Sequence, residues 1–124
     1  MSTALGTERV TVARLPPDLI GRSLVAKFFR ALGDPTRLAL LEFCAQEERT
    51  GTACVLHSEL SQGRVSAHLG CLVSCGLLRL RREGRFAYYQ ATDPRVLELL
   101  RLSQEMVADQ AASIATCTRV GPAR

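Results

Sequence analysis

The stretch from Ser61 to Ala91 most constrains this 124-residue chain, because a capped helical segment runs straight into two alternating segments. Ser61 is a good helix N-cap, and Val65, Leu69, Leu72 and Val73 hold one face apolar while Gln62, Arg64 and Ser66 can point elsewhere. Gly76 ends the helix as a left-handed cap. Leu77 to Arg82 and Arg85 to Ala91 then alternate and join around Glu83-Gly84, which predicts an arginine-rich β-hairpin.

The flanking segments are helical. From Asp18, a capping residue, Ile20, Leu24, Phe28, Ala31 and Leu32 recur at three- and four-residue steps as far as Gly33. Asp34-Pro35-Thr36 starts a second helix, with Leu38, Leu41, Phe43 and Cys44 as its buried positions. Residues 49 to 53 read as a loop, followed by a short helical segment from Cys54 to Leu60. After Asp93-Pro94, the residues Val96, Leu99, Leu100, Met106, Val107, Ala111 and Ile114 mark one long final helix whose nearly heptad stripe calls for a partner helix. The chain is therefore expected to be mainly α with a β-hairpin wing, a winged helix-turn-helix that dimerises through its terminal helices. Its expected parts are a mobile N-terminal arm over 1–17, the winged domain over 18–115, and a tail over 116–124 that carries Cys117.

Composition narrows the function. No apolar run approaches the roughly 20 residues of a membrane span, and residues 1–14 have no signal-peptide core, so a cytoplasmic protein with reduced thiols and no membrane partner is expected. Between Ser61 and Thr92, Arg64, Arg79, Arg81, Arg82 and Arg85 face Glu83 alone, while the eleven basic and eleven acidic residues elsewhere cancel. Such a local excess suits a surface that meets phosphates. A merely solvated face would mix both signs. Gln62, Arg64 and Ser66 occupy the half of the reading helix that normally reaches bases, and Arg79, Arg81, Arg82 and Arg85 are expected on the DNA backbone. One of Tyr88 and Tyr89 should be core and the other free to touch the groove. An enzyme lacks its parts, since there is no glycine-rich phosphate loop, no Ser-His-Asp set, and only two His.

Cys71 and Cys75 add a second chemistry. Four residues apart on a helix, they lie about 40° apart around it and one turn along, close enough to chelate one soft ion. A redox pair usually opens at a helix N-terminus, where the dipole activates a thiol; Cys75 sits at the opposite end, so capture of a cation fits better than oxidation. Two small buried hydrophobes are the plain alternative. Cys117, between two threonines, has little reason to be buried unless something binds it. Cys44 falls on an apolar helix face and reads as core, whereas Cys54 reads equally as core or as a donor to a second site. His68 lies on the face of the Cys pair, where geometry permits it as a nitrogen ligand, and His57 reads as surface.

The order of these elements resembles the ArsR/SmtB family of bacterial metal-responsive repressors. So does the wording: Ala31-Leu32-Gly33-Asp34-Pro35-Thr36-Arg37 opens the second helix as in that family, Leu60-Ser61-Gln62 with Val65-Ser66-Ala67-His68-Leu69 is similar to its recognition helix, and Gly84-Arg85 before Tyr88-Tyr89 is similar to its wing. The likeness covers residues 19 to 115. Within the family, the Cys71/Cys75 phrase resembles the CmtR-type cadmium/lead sensors and the mercury-responsive repressors. The resemblance implies double-stranded operator DNA as partner, a homodimer, and an effector ion, Hg(II), Cd(II) or Pb(II), held by Cys71, Cys75 and the partner subunit's copy of Cys117. It also makes Ser61 and His68 parts of the DNA-binding or packing surface. The chain departs from the family's arsenic- and cadmium-type pattern, which has a C-x-C pair in the first helix of the helix-turn-helix where only Cys54 stands here, and it lacks the His pair of a dimer-interface zinc site on the last helix. The alternative function is a repressor that senses thiol oxidation through the same cysteines.

Overall fold

A computed structural model describes residues 19–121, so the expected arm over 1–17 and the Asp18 cap lie outside the described residues. The chain divides between Arg30 and Ala31 into two compact units. Helix α1 (Leu19–Ala31) is the described part of the first unit, apart from its last residue. It leaves Leu24, Val25 and Phe29 exposed, with the rings of Phe28 and Phe29 edge-on at 5.6 Å.

The second unit begins with α2 (Pro35–Gln46), started as the sequence predicts: an Asp34 carboxylate oxygen accepts from the Arg37 N–H at 3.0 Å, and Pro35 fills the first turn. Leu40, Leu41 and Cys44 are fully buried. The expected core positions Leu38 and Phe43 are only half-buried. Phe43 instead has the Arg49 guanidinium 3.9 Å from its ring centre and the His57 imidazole stacked on it at 3.9 Å, so His57 is exposed but has a partner.

The expected loop over 49–53 is replaced by structure. Arg49–Thr50 forms β1, paired with Tyr89 and Tyr88, and the Thr50 hydroxyl accepts from the Ala53 N–H at 3.0 Å to start α3 (Gly51–Ser58) before the expected Cys54. Glu59 ends that helix at φ 61°, left-handed without a glycine. Helix α4 (Gln62–Ser74) follows, with the Ser61 hydroxyl accepting from the Arg64 N–H at 3.2 Å. Val65, Leu69 and Leu72 face the core. Gly76 adopts φ +82° and lets the Leu77 N–H reach back to the Leu72 carbonyl at 2.9 Å, closing the helix as predicted.

Strands β2 (Leu78–Glu83) and β3 (Phe86–Ala91) form the hairpin, in a three-stranded antiparallel sheet of order β1-β3-β2. Its turn is Gly84-Arg85, where Gly84 takes the φ of +61° that a two-residue loop asks of its first position. The Thr92 hydroxyl donates to the Gly76 carbonyl at 2.9 Å and the Thr92 N–H to the Leu77 carbonyl at 3.2 Å, fastening the exit of the hairpin to the end of α4.

The expected single final helix is two helices, α5 (Arg95–Asp109) and α6 (Ala111–Thr116), broken at Gln110. There the chain turns to φ −125°, and the Gln110 N–H bonds the Val107 carbonyl three residues back. Val96 and Leu100 of the apolar stripe are buried, but its Met106, Val107 and Ile114 are exposed, as is Leu102 outside it, so a single chain leaves most of the stripe uncovered. No helix among the described residues is long and apolar enough to cross a membrane.

Candidate nucleic-acid interface and thiol sites

Helix α4 packs against α2, α3 and β2, which fixes its apolar face and turns Gln62, Arg64 and Ser66 outward, all exposed. Ser61 is engaged as the cap, so its hydroxyl holds the helix start in shape. A cleft of about 400 Å³ opens between α4 and the hairpin, with Gln62 and Ser66 on one wall and Arg82 and Arg85 on the other. Thr52 of α3 and Tyr89 also line it. The structure therefore brings Gln62 and Ser66 of the reading helix together with two wing arginines across a gap in the sequence, while Arg64, exposed on the same helix, does not line the cleft.

The other two wing arginines are tied differently. Arg79 donates to the Gln90 side chain at 2.8 Å and stays exposed. Arg81 is held by Glu48 at 2.9 Å and Glu83 at 2.7 Å, and its guanidinium lies 4.4 Å from the centre of the Tyr88 ring. Hydrogen bonding from Arg81 holds the Glu48 carboxyl below the ordinary carboxylate range. Sequence reasoning missed this bridge because Glu48 and Arg81 lie on separate strand neighbourhoods that only β1–β3–β2 pairing brings together. Tyr88 thus supports Arg81 while Tyr89 lines the cleft, and both are half-buried.

The five thiols separate into three settings. Cys71 and Cys75 are free and half-buried at the far end of α4, one turn apart, with the Cys75 N–H bonded to the Cys71 carbonyl at 3.0 Å. His68, also half-buried, is one turn before Cys71. Cys117 caps α6 in extended backbone and is exposed. Among the described residues of one chain, no three His, Cys, Asp or Glu side chains gather into a metal-sized cage. One chain offers a chelating pair and a separate exposed donor. Cys44 and Cys54 form the third setting, both fully buried, with their sulfurs 3.7 Å apart.

A short two-helix reader, an arginine-bearing hairpin beside it and uncovered helices at the ends can also be compared with known proteins. The profile described as "Bacterial regulatory protein, arsR family" matches residues 34–79, from the α2 cap to the first strand of the hairpin. A "Probable mercury resistance operon repressor" of Streptomyces lividans is 52% identical over 95 residues, covering 77% of this chain and 76% of that protein. The chain belongs to the ArsR family. The HTH-type transcriptional regulator CmtR of Mycobacterium bovis is 34% identical over 101 residues, covering 73% of this chain and 86% of the relative. Among solved structures, the homodimeric winged helix-turn-helix DNA-binding domain of Mb0332 from Mycobacterium bovis, a possible ArsR-family regulator, superposes with a TM-score of 0.68 at 33% identity, covering 78% of this chain and 89% of that one. This ArsR-family chain is a winged helix-turn-helix transcriptional regulator and not an enzyme.

Proposed function

We propose that the protein is a homodimeric, metal-responsive repressor that holds operator DNA without metal and leaves it when Cys71, Cys75 and Cys117 capture a soft ion, Hg(II), Cd(II) or Pb(II). The observation that carries this reading is the placement of two half-buried thiols one turn apart on the non-reading half of α4. Their relative from Streptomyces lividans is named for mercury resistance, which supports a soft-metal effector. Two thiolates from the far end of α4 and one from the partner subunit would supply the soft donors such ions prefer. A fourth donor, where an ion asks for one, is water or His68, because Cys54 is buried against Cys44.

DNA binding in this reading comes from the face that carries Gln62, Arg64, Ser66, Arg82 and Arg85. An amide and a guanidinium can each make two hydrogen bonds to a purine edge, and the wing arginines neutralise phosphates. The uncovered stripe on α5 and α6 supplies the dimer surface, so that two reading helices meet one pseudo-palindromic site. Joining α4 of one subunit to the tail of the other favours a dimer shape that no longer matches the groove, a coupling of about 1–3 kcal/mol or more.

The test is a titration of the reduced dimer with Hg(II), Cd(II), Pb(II) and Zn(II), following thiolate-to-metal absorption and operator release together. Release in step with absorption is the expected result. Release by mild peroxide with no response to any metal would establish the redox alternative instead. Mixing Cys117→Ser chains with Cys71→Ser/Cys75→Ser chains should restore one site per heterodimer; a confirmed heterodimer with no absorption beyond that of the two parent homodimers and no metal-triggered operator release would sink the cross-subunit ligand set.

A further inference from the structure

The Cys44–Cys54 pair has no part in DNA reading or in the three-thiol site. It joins α2 to α3, the first helix of the helix-turn-helix, at the centre of the core. From its position we infer that Cys44 and Cys54 form a second, two-coordinate thiolate site for a soft divalent cation, separate from the proposed site at Cys71, Cys75 and Cys117.

Distance and charge both favour this. Two sulfurs about 2.3 Å from a shared ion are at most about 4.6 Å apart when the ion lies midway. The observed 3.7 Å therefore has to widen by less than about 1 Å, within reach of side-chain rotation. No third His, Cys, Asp or Glu accompanies the pair among the described residues, so coordination stops at two, which disfavours zinc and its four ligands. A divalent ion on two thiolates has no net charge, and a neutral adduct is the form a dry core can hold.

The step balances without any change of oxidation state. Two sulfur–metal bonds form, and each proton still on the pair leaves to solvent. Metal-free, the shared hydrogen bond and then burial push the Cys44 thiol well above its ordinary range, and the same bond lowers Cys54. Arg49 favours the thiolate at both positions. Because both sulfurs are fully buried, entry has to pass through local opening of the eight-residue α3, so uptake should be slow.

The test uses the full-length Cys71→Ser/Cys75→Ser/Cys117→Ser protein, in which only this pair remains, so its outcome is independent of the three-thiol proposal. Mercuric chloride, added with excess small-molecule thiol as competitor, should give one ion per chain, near-ultraviolet thiolate-to-mercury absorption, proton release and a raised Tm. Adding Cys44→Ala or the volume-keeping Cys54→Val should cut affinity at least about 100-fold while circular dichroism shows a folded chain. Should those variants fail to fold, the Tm rise and stoichiometry in the parent decide. Absence of both in the parent, uptake that survives loss of Cys44, or binding at one ion per two chains would each overturn the site.

Discussion

The two thiol pairs of this protein differ in nearly every property that governs how a metal meets sulfur. Cys71 and Cys75 are close in sequence, share one helix and are half-buried, so their spacing is set by helix geometry and their access to solvent is direct. Cys44 and Cys54 belong to different helices and touch only because α2 packs on α3, with water excluded from both. The first arrangement is suited to a reversible signal. The second makes the thiols part of what holds the fold together, so that chemistry there is felt as stability first.

The sharpest way to break this contrast is substitution of a single thiol on α4. Cys71→Ser or Cys75→Ser should leave operator affinity within about threefold of the parent but weaken metal-triggered release at least about 100-fold, since a ligand is worth more than the 10–100-fold typical of its supporting residues. Fluorescence anisotropy with labelled operator reads both quantities. Loss of DNA binding in the metal-free variants would make this pair structural as well, erasing the distinction.

Stability should show the reverse order. Cys44→Ala opens a hole among fully buried neighbours and should cost about 1–2 kcal/mol, lowering Tm by several degrees, whereas Cys71→Ala should cost less than about 0.5 kcal/mol. Equal melting temperatures would contradict the core assignment of Cys44.

A parallel contrast exists on the DNA face. Arg64→Ala should lose about 1–3 kcal/mol on operator and little on random DNA, while Arg82→Ala should weaken both and reduce the salt slope by about one. Uniform losses for Arg64 across sequences would reassign it to a phosphate. The smallest effect is expected at Arg81. Its bridge to Glu48 forms only while that carboxylate is charged; a depressed folded pKa means the contribution is present above the unfolded pKa and fades as pH falls through the lower, folded value. Wing mobility measured by NMR relaxation should therefore rise only under acid conditions, and an equal rise near neutrality would show the bridge to be idle.

What the sequence made legible was chemistry that acts over a few residues. Asp34, Ser61 and Gly76 cap and end helices through bonds to neighbours three to five positions away, and each does so in the structure. Strand β1 was not legible, because two residues show no period and exist as a strand only through Tyr88 and Tyr89. The break at Gln110 had no signal either, since neither it nor Asp109 or Ala111 is a helix breaker of the glycine or proline kind. The Cys71/Cys75 pair could be read from spacing, but the meeting of Cys44 with Cys54 depends on tertiary packing, so sequence alone does not decide the role of Cys54.

The bond from the Thr92 hydroxyl to the Gly76 carbonyl has a mechanical consequence. It closes the hairpin into a loop whose two feet stand on the last turn of the reading helix, next to Cys75. A pull on Cys75 is then delivered to a shared pivot, and helix and wing swing as one lever. Under the proposed release, each half of the dimer should let go of base edges and phosphates in a single step, so operator dissociation should have no intermediate in which the wing has lifted while the helix stays seated.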